Sequence, residues 1–109
     1  MTTCIFCDII KKERPADFVY ENGEVAAFWD ITPKAPVHIL IVPTKHIESV
    51  KDLEENDRDR ICSMLFAAKK IARDQKIDEG YKLVFNLGRR GGQVIDHLHL
   101  HLLGGWKEK

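Results

Sequence analysis

The sequence predicts an α+β fold: an antiparallel meander sheet of about five strands with one long and one short helix. Three patterns carry that expectation. Ile61, Leu65, Ala68 and Ala72 recur at i, i+4, i+7 and i+11 between about residues 57 and 76, the period of an amphipathic helix. β-prone runs broken by turn residues surround it, as in "FVYENGEVAAFWD" and "YKLVFN". The segment "VIDHLHLHLL" alternates leucine with histidine, the period of a strand.

Residues about 4 to 11 read as a short helix with Ile5, Phe6 and Ile9 turned inward, and Pro15 breaks the chain after it. Asn22-Gly23 between two β-prone runs favours a tight primed hairpin turn. "TPKAP" is a proline-punctuated loop, and "VHILIVP" is a strand ended by Pro43. Asn56 is the expected N-cap of the long helix, with Asp57 and Asp59 in its favourable first turn. Cys62, inside the helical pattern, reads as a small buried apolar residue. Gly80 follows the helix, "YKLVFN" is the next strand and "LGRRGGQ" is a glycine-rich basic loop. The last strand closes at Gly104-Gly105. The chain has no repeat, low-complexity tract or linker, so residues 1–109 are expected to form one domain.

With 44% hydrophobic and 31% charged residues, the composition suits one soluble core. Lys plus Arg and Asp plus Glu number 17 each, so the formal net charge is zero. That argues against nucleic-acid binding and leaves room for a small phosphate-bearing ligand, which needs only a local positive field. "MTTCIFCDIIKKE" places a short apolar patch before charges, the reverse of a secretory leader. Apolar runs such as "ILIV" are far too short to span a bilayer. The expectation is a cytoplasmic protein with no membrane contact. Three cysteines, Cys4, Cys7 and Cys62, argue by their odd count against a disulfide framework. The C-x-x-C spacing of Cys4 and Cys7 suggests redox chemistry or a metal.

Strand alternation puts His97, His99 and His101 on one face and Leu98, Leu100 and Leu102 on the other. The leucine face belongs to the core. The histidine face must meet water, a ligand or a metal, because buried imidazoles need partners. Three readings follow. The strand's polar face happens to be histidine, or the three imidazoles bind a catalytic metal. The third reading makes them nucleophile, acid and relay in phosphoryl chemistry, since imidazole titrates near neutral pH. Phe28 and Asp30 alternate with Trp29, so an apolar wall and a carboxylate share a face. A nucleoside wants that pairing, a flat ring to pack and a diol to bind. Phe28 as plain core and Asp30 as a turn cap are the competing readings. "GRRGG" offers backbone N–H groups and two cations to a phosphate, or is a solvated hairpin tip. Asn86 is a ligand or a turn-former.

"GGQVIDHLHLHLLGG" resembles the histidine triad motif, His-x-His-x-His flanked by apolar residues. "FVYENGEVAAFWDITPKAPVHILIVPTKHI" resembles the first half of that family, with Phe-x-Asp, Pro-x-His and Pro-x-x-His in order. The nearest branch is the histidine triad nucleotide-binding proteins, which are purine nucleoside phosphoramidate hydrolases. The resemblance covers nearly the whole chain. It implies a HIT-like fold, a purine nucleotide such as AMP as ligand, and no organic cofactor. It also implies a homodimer joined near Tyr81–Asn86 with the long helices packed together. By the same resemblance His99 is the nucleophile, attacking the α-phosphorus to give a nucleotidyl-histidine. His101 contacts the phosphate and leaving group, and His38 completes a relay. Asp30 takes the ribose hydroxyls. Phe6, Ile9, Phe28 and Ile31 wall the base, while Asn86 and the Gly92-Gln93 backbone hold phosphate or leaving group. A dinucleoside polyphosphate hydrolase and a nucleotide-binding adaptor with incidental activity are the alternatives. One departure stands out. The family usually has a hydroxyl residue after the glutamine of the loop, and this chain has Val94, so its leaving-group preference is expected to differ.

The resemblance extends to the cysteines. Some members, and the related galactose-1-phosphate uridylyltransferases, hold zinc at positions matching Cys4, Cys7, His46 and His97. It therefore implies a structural zinc with two cysteine and two histidine ligands, His97 serving both the triad and the metal. Two free thiols in a short helix are the alternative.

Overall fold

A computed structural model describes residues 4–107. Helix α1 spans Ile5–Ile10, followed by strands β1 (Phe18–Glu21), β2 (Val25–Trp29) and β3 (Val37–Pro43). Helix α2 spans Arg58–Asp74, and strands β4 (Tyr81–Phe85) and β5 (Leu100–Gly104) follow. The strands form one antiparallel sheet in the order β1-β2-β3-β5-β4. The meander runs through β3. After α2 the chain enters at the far edge as β4, and β5 returns between β3 and β4. The strand that continues from the histidine segment is thereby paired on both sides, which fixes its register.

Alternation divides the strand residues between two layers. Val25, Ala27, Ile39, Ile41, Leu100 and Leu102 pack against Met64, Ala67, Ala68, Ile71 and Ala72 of α2. On the other face Ala26, Phe28, Leu40 and Val42 pack with Phe6 and Ile9 of α1. His101 lies opposite both Leu40 and Val84, so the histidines fall on the α1 side of the sheet.

Several local expectations are corrected. In α1, Phe6 and Ile9 are three apart and share the buried face, while Ile5 is turned outward. In α2 Ala68 and Ala72 are buried as expected and Ile61 is partly buried, but the stripe is completed by Met64, Ala67 and Ile71 in place of Leu65. Leu65 and Phe66 are exposed at 46% and 70%, and Cys62 is exposed as well. Asp57 rather than Asn56 occupies the N-cap of α2. Its buried carboxylate accepts the Glu54 N–H at 2.9 Å and pairs with Lys45 Nζ at 2.9 Å and Arg60 Nη1 at 3.0 Å. Neither Asn22 nor Gly23 has positive φ, so the hairpin has no primed turn. Asn22 Oδ1 instead accepts the N–H groups of Glu24 and Val25, both at 2.8 Å, and closes the turn with its side chain.

Both helices end on a lysine in the left-handed region, Lys12 at φ 65° and Lys76 at φ 62°. After α2 the Lys76 N–H bonds to the Arg73 carbonyl and the Ile77 N–H to the Ala72 carbonyl, the Schellman pattern usually built on glycine. The last strand is shorter than the sequence pattern. Its ladder begins at Leu100, and residues 94–99 approach it as irregular chain. Leu98, Leu100 and Leu102 are nonetheless all buried. Among the described residues no helix is long and apolar enough to cross a membrane.

Candidate active site and metal centre

Four histidines on the α1 side have partners that set which ring nitrogen carries hydrogen. The Lys34 N–H donates to His38 Nδ1 at 3.0 Å, so the neutral ring holds its hydrogen on Nε2. That Nε2–H donates to His101 Nδ1 at 2.9 Å, which leaves His101 with its hydrogen on Nε2. His99 Nδ1–H donates to the His97 carbonyl at 2.8 Å, so His99 Nε2 keeps a free lone pair. His97 Nε2–H donates to the Pro43 carbonyl at 2.9 Å, so its lone pair is on Nδ1. One ring therefore offers a nucleophilic nitrogen and its neighbour offers a proton donor. The two rings lie edge to face with centroids 4.9 Å apart.

Burial shapes the charges here. Burial, reinforced by the charges of His99 and His38, pushes His101 down to about 4. Burial lowers His38 too, against the opposing pull of the Asp30 carboxylate, whose Oδ2 lies 3.4 Å from its Nε2. Both rings are neutral near pH 7, as a relay of single hydrogens requires. Asp30 Oδ1 accepts from the Thr32 N–H at 2.8 Å and the Thr32 hydroxyl at 3.1 Å. Asp30 is thus a turn cap, and its second oxygen faces the histidines.

The residues expected to wall a base divide. Phe6, Ile9 and Phe28 are brought together as one buried cluster. Phe6 meets Phe28 edge to face at 5.5 Å and His99 at 5.1 Å. Ile31, on the following loop, is 93% exposed and not part of that buried cluster. The loop after β4 departs further from expectation. The Gly92 N–H donates to the Arg89 carbonyl and the Gln93 N–H to the Gly88 carbonyl, so both amides are spent inside their own turn and do not offer themselves to a phosphate. Asn86 Nδ2 donates to the Gly91 carbonyl at 2.9 Å. Arg89 is paired with Asp96 at 2.9 Å, and Arg90 and Val94 are exposed.

The side chain of Gln93 had no expected role. It is 3% exposed, accepts the Gly88 N–H through Oε1, and donates through Nε2 to the carbonyls of Glu48 and Ile95. Lys34, Pro43 and Thr32 also act here through groups that sequence reasoning passed over. All three act through the backbone, Thr32 through its hydroxyl as well, and a main-chain group leaves no mark in residue type.

Cys4, Cys7, His46 and His97 converge. Cys4 Sγ lies 3.3 Å from His97 Nδ1, and Cys7 Sγ lies 3.3 Å from His46 Nδ1 and 3.6 Å from His97 Nδ1. The two Nδ1 atoms are 3.2 Å apart, and all four donor atoms lie within 4.8 Å of one another. A tetrahedral ion with bonds of about 2.3 Å to sulfur and about 2.0–2.1 Å to nitrogen spaces its ligands by about 3.3–3.8 Å. The cluster could hold a metal ion, and its soft thiols with neutral imidazoles suit a borderline cation. In the protein alone, burial and the neighbouring Cys4 push the Cys7 thiol up to about 11. A divalent cation between the thiols reverses that balance. Asp30, His38 and His101 also lie within such reach, but the 2.9 Å contact there is the relay hydrogen bond.

Three imidazoles at alternate positions of the segment that leads into β5, with a fourth behind them on β3, define a histidine triad protein. The family model described as "Scavenger mRNA decapping enzyme C-term binding" matches residues 3–108. A HIT family hydrolase from Legionella pneumophila superposes with a TM-score of 0.94 at 44% identity, covering 98% of this chain and 96% of that one. A histidine triad nucleotide-binding protein from Candida albicans superposes at 0.85 with 35% identity, covering 98% and 85%. The purine nucleoside phosphoramidase of Escherichia coli (strain K12) is 45% identical over 102 residues, 93% of this chain and 86% of that protein. The chain belongs to the histidine triad family.

Proposed function

We propose that this protein is a nucleotide-binding hydrolase that cleaves purine nucleoside 5'-phosphoramidates and related AMP–X bonds through a nucleotidyl-histidine. The observation that carries this is the pinned tautomer of His99. Its Nδ1–H is committed to the His97 carbonyl at 2.8 Å, so Nε2 is free to attack. In the first step Nε2 forms a bond to the α-phosphorus as the bond to the leaving amine breaks. The amine takes the proton of His101 Nε2–H as the His38 Nε2–H shifts onto His101 Nδ1 through the 2.9 Å bond, so the His101–His38 pair is one proton short until the second step. In the second step water attacks phosphorus, the P–N bond to His99 breaks, and the water proton returns to the His101–His38 pair. Asp30 meets the ribose hydroxyls, and Phe6, Ile9, Phe28 and Ile31 meet the base. Asn86 meets the phosphate or leaving group, and Val94, which is exposed, brings no hydroxyl to the leaving group. The nearest test is turnover of a fluorogenic adenosine 5'-phosphoramidate beside a diadenosine polyphosphate. Faster turnover of the phosphoramidate supports this reading; faster turnover of the polyphosphate, or AMP binding with negligible turnover of either, rejects it.

The cluster of Cys4, Cys7, His46 and His97 holds zinc in this reading. Zinc when bound supplies a cross-link between α1, the segment after β3 and the triad. Absence of zinc from reduced, freshly purified protein would sink the assignment. A cytoplasmic setting keeps those thiols reduced. The open edge of β4 with exposed Leu83, and exposed Leu65 and Phe66 on α2, suit a homodimer. Phe66→Asp is then expected to shift the chain toward monomer in analytical ultracentrifugation, and an unchanged mass would count against the dimer.

A further inference from the structure

We propose that Lys34 is a positioning residue for proton transfer to the leaving group: its main-chain N–H ends the His101–His38 relay, and its ammonium offsets the charge the relay takes on when it gives up a proton. This rests on the hydrolase reading above.

The relay is closed at its far end. His101 Nδ1 accepts from His38 Nε2–H at 2.9 Å, and His38 Nδ1 accepts from the Lys34 N–H at 3.0 Å. A main-chain amide keeps its hydrogen, so it pins the tautomer of His38 and passes no proton into the pair. When His101 Nε2–H protonates the departing amine, the His38 hydrogen shifts onto His101 Nδ1. The pair is then one proton short, and the negative charge is centred on His38, which is 2% exposed. The proton comes back in the second step, from the attacking water. Between the two steps the protein has to hold that charge.

The neighbours of the pair supply little to hold it with. Asp30 Oδ2 stands 3.4 Å from His38 Nε2 and repels it. Leu40 and Val84, opposite His101 on β3 and β4, are apolar. His99, edge to face on His101, brings no counter-charge in the tautomer that attacks. Lys34 is the cation on this rim. Pro33 and Pro36 stiffen the loop around it, and the bond to His38 fixes its backbone beside the ring. Its side chain is exposed, a flexible four-carbon stem, and among the described residues it pairs with no carboxylate. Burial is the main reason both rings resist protonation; of the fixed charges, Lys34 pushes the same way and Asp30 the opposite way. A charge that lowers the proton affinity of the pair also makes it the better donor to a leaving amine.

Side-chain substitution leaves the main-chain N–H in place, so charge and tautomer can be separated. Lys34→Ala and Lys34→Glu are compared with wild type by single-turnover release of two leaving groups. One is an alkylamine, from an adenosine 5'-phosphoramidate. The other is p-nitrophenolate, from the p-nitrophenyl ester of AMP, which departs without a proton. The expected result is amine release slowed about 3–10-fold in Lys34→Ala and about 10–100-fold in Lys34→Glu, with nitrophenolate release within about twofold in both. The acid limb of the amine reaction moves to higher pH in Lys34→Glu, because His101 and His38 hold an added proton more tightly. Lys34→Arg is expected to restore rate and limb. Nitrogen-15 imidazole NMR should find the His38 hydrogen on Nε2 in every variant. The proposal is overturned if both leaving groups slow alike, if Lys34→Glu releases amine at the wild-type rate, or if the rate falls while the acid limb stays in place. If wild type turns over neither compound, the hydrolase reading fails. NMR titration of His101 then decides: an upward shift in Lys34→Glu upholds the charge coupling, and an unchanged titration overturns it.

Discussion

Replacing Gln93 by alanine should cost far more stability than its place in a glycine-rich surface loop suggests. The side chain is 3% exposed and makes three hydrogen bonds, to the Gly88 N–H at 3.0 Å and to the carbonyls of Glu48 at 2.6 Å and Ile95 at 2.9 Å. Together they tie the loop to itself, to the segment carrying His46, and to the chain leading into His97. At about 1 kcal/mol net per bond the loss is about 3 kcal/mol, and buried partners left unpaired keep it from being smaller. For a chain of this size that lowers the melting temperature by about 10–20 °C. Urea unfolding followed by circular dichroism reads the loss directly. Gln93→Glu separates the parts, since it keeps the acceptor for Gly88 but sets a carboxylate against two carbonyls. It is expected to lose at least as much as the alanine variant. A cost below about 1 kcal/mol for Gln93→Ala, with AMP binding weakened instead, would refute the reasoning and return Gln93 to the role of ligand.

Two further outcomes follow from local features. Lys76→Gly should stabilise by about 1 kcal/mol, because it relieves a left-handed φ of 62° while keeping the C-terminal bonds of α2; an unchanged or lower urea midpoint would contradict this. His101 titrates near 4 in the folded chain and near 6.5 when unfolded. The unfolded chain therefore binds the extra proton between those values, so the stability held by the neutral ring is complete above about 6.5 and declines as pH falls toward about 4. His101→Asn should flatten the slope of unfolding free energy against pH in that window, and an unaltered slope would show that His101 is not buried neutral.

The fold class was legible because alternation and the 3.6-residue period survive in residue type. Strands, both helices and their order can be read from apolar spacing. What escaped was decided by the backbone or by competition between neighbours. Leu65 and Met64 are equally apolar, and only the tilt of α2 on the sheet decides that Met64 goes in. Asn22-Gly23 fits a primed turn, yet Asn22 closes the turn with its own Oδ1. The spacing of Cys4, Cys7, His46 and His97 reads as one cluster only with the resemblance, since 39 and 90 residues separate Cys7 from its partners His46 and His97. The hydrogen positions on the four rings are invisible in sequence, because Lys34, His97 and Pro43 set them through main-chain groups. Gly92 and Gln93 show the converse. Their residue types suggested free amides for a phosphate, and the turn consumes those amides.

The central claim is that His99 Nε2 becomes bonded to phosphorus. Wild type mixed with adenosine 5'-phosphoramidate and quenched within one turnover should carry one AMP on the peptide that contains His99, detected by mass spectrometry. The adduct should be missing in folded His99→Gly, which should also lose turnover. Turnover without any adduct, an adduct on another histidine, or full turnover by His99→Gly would contradict the account.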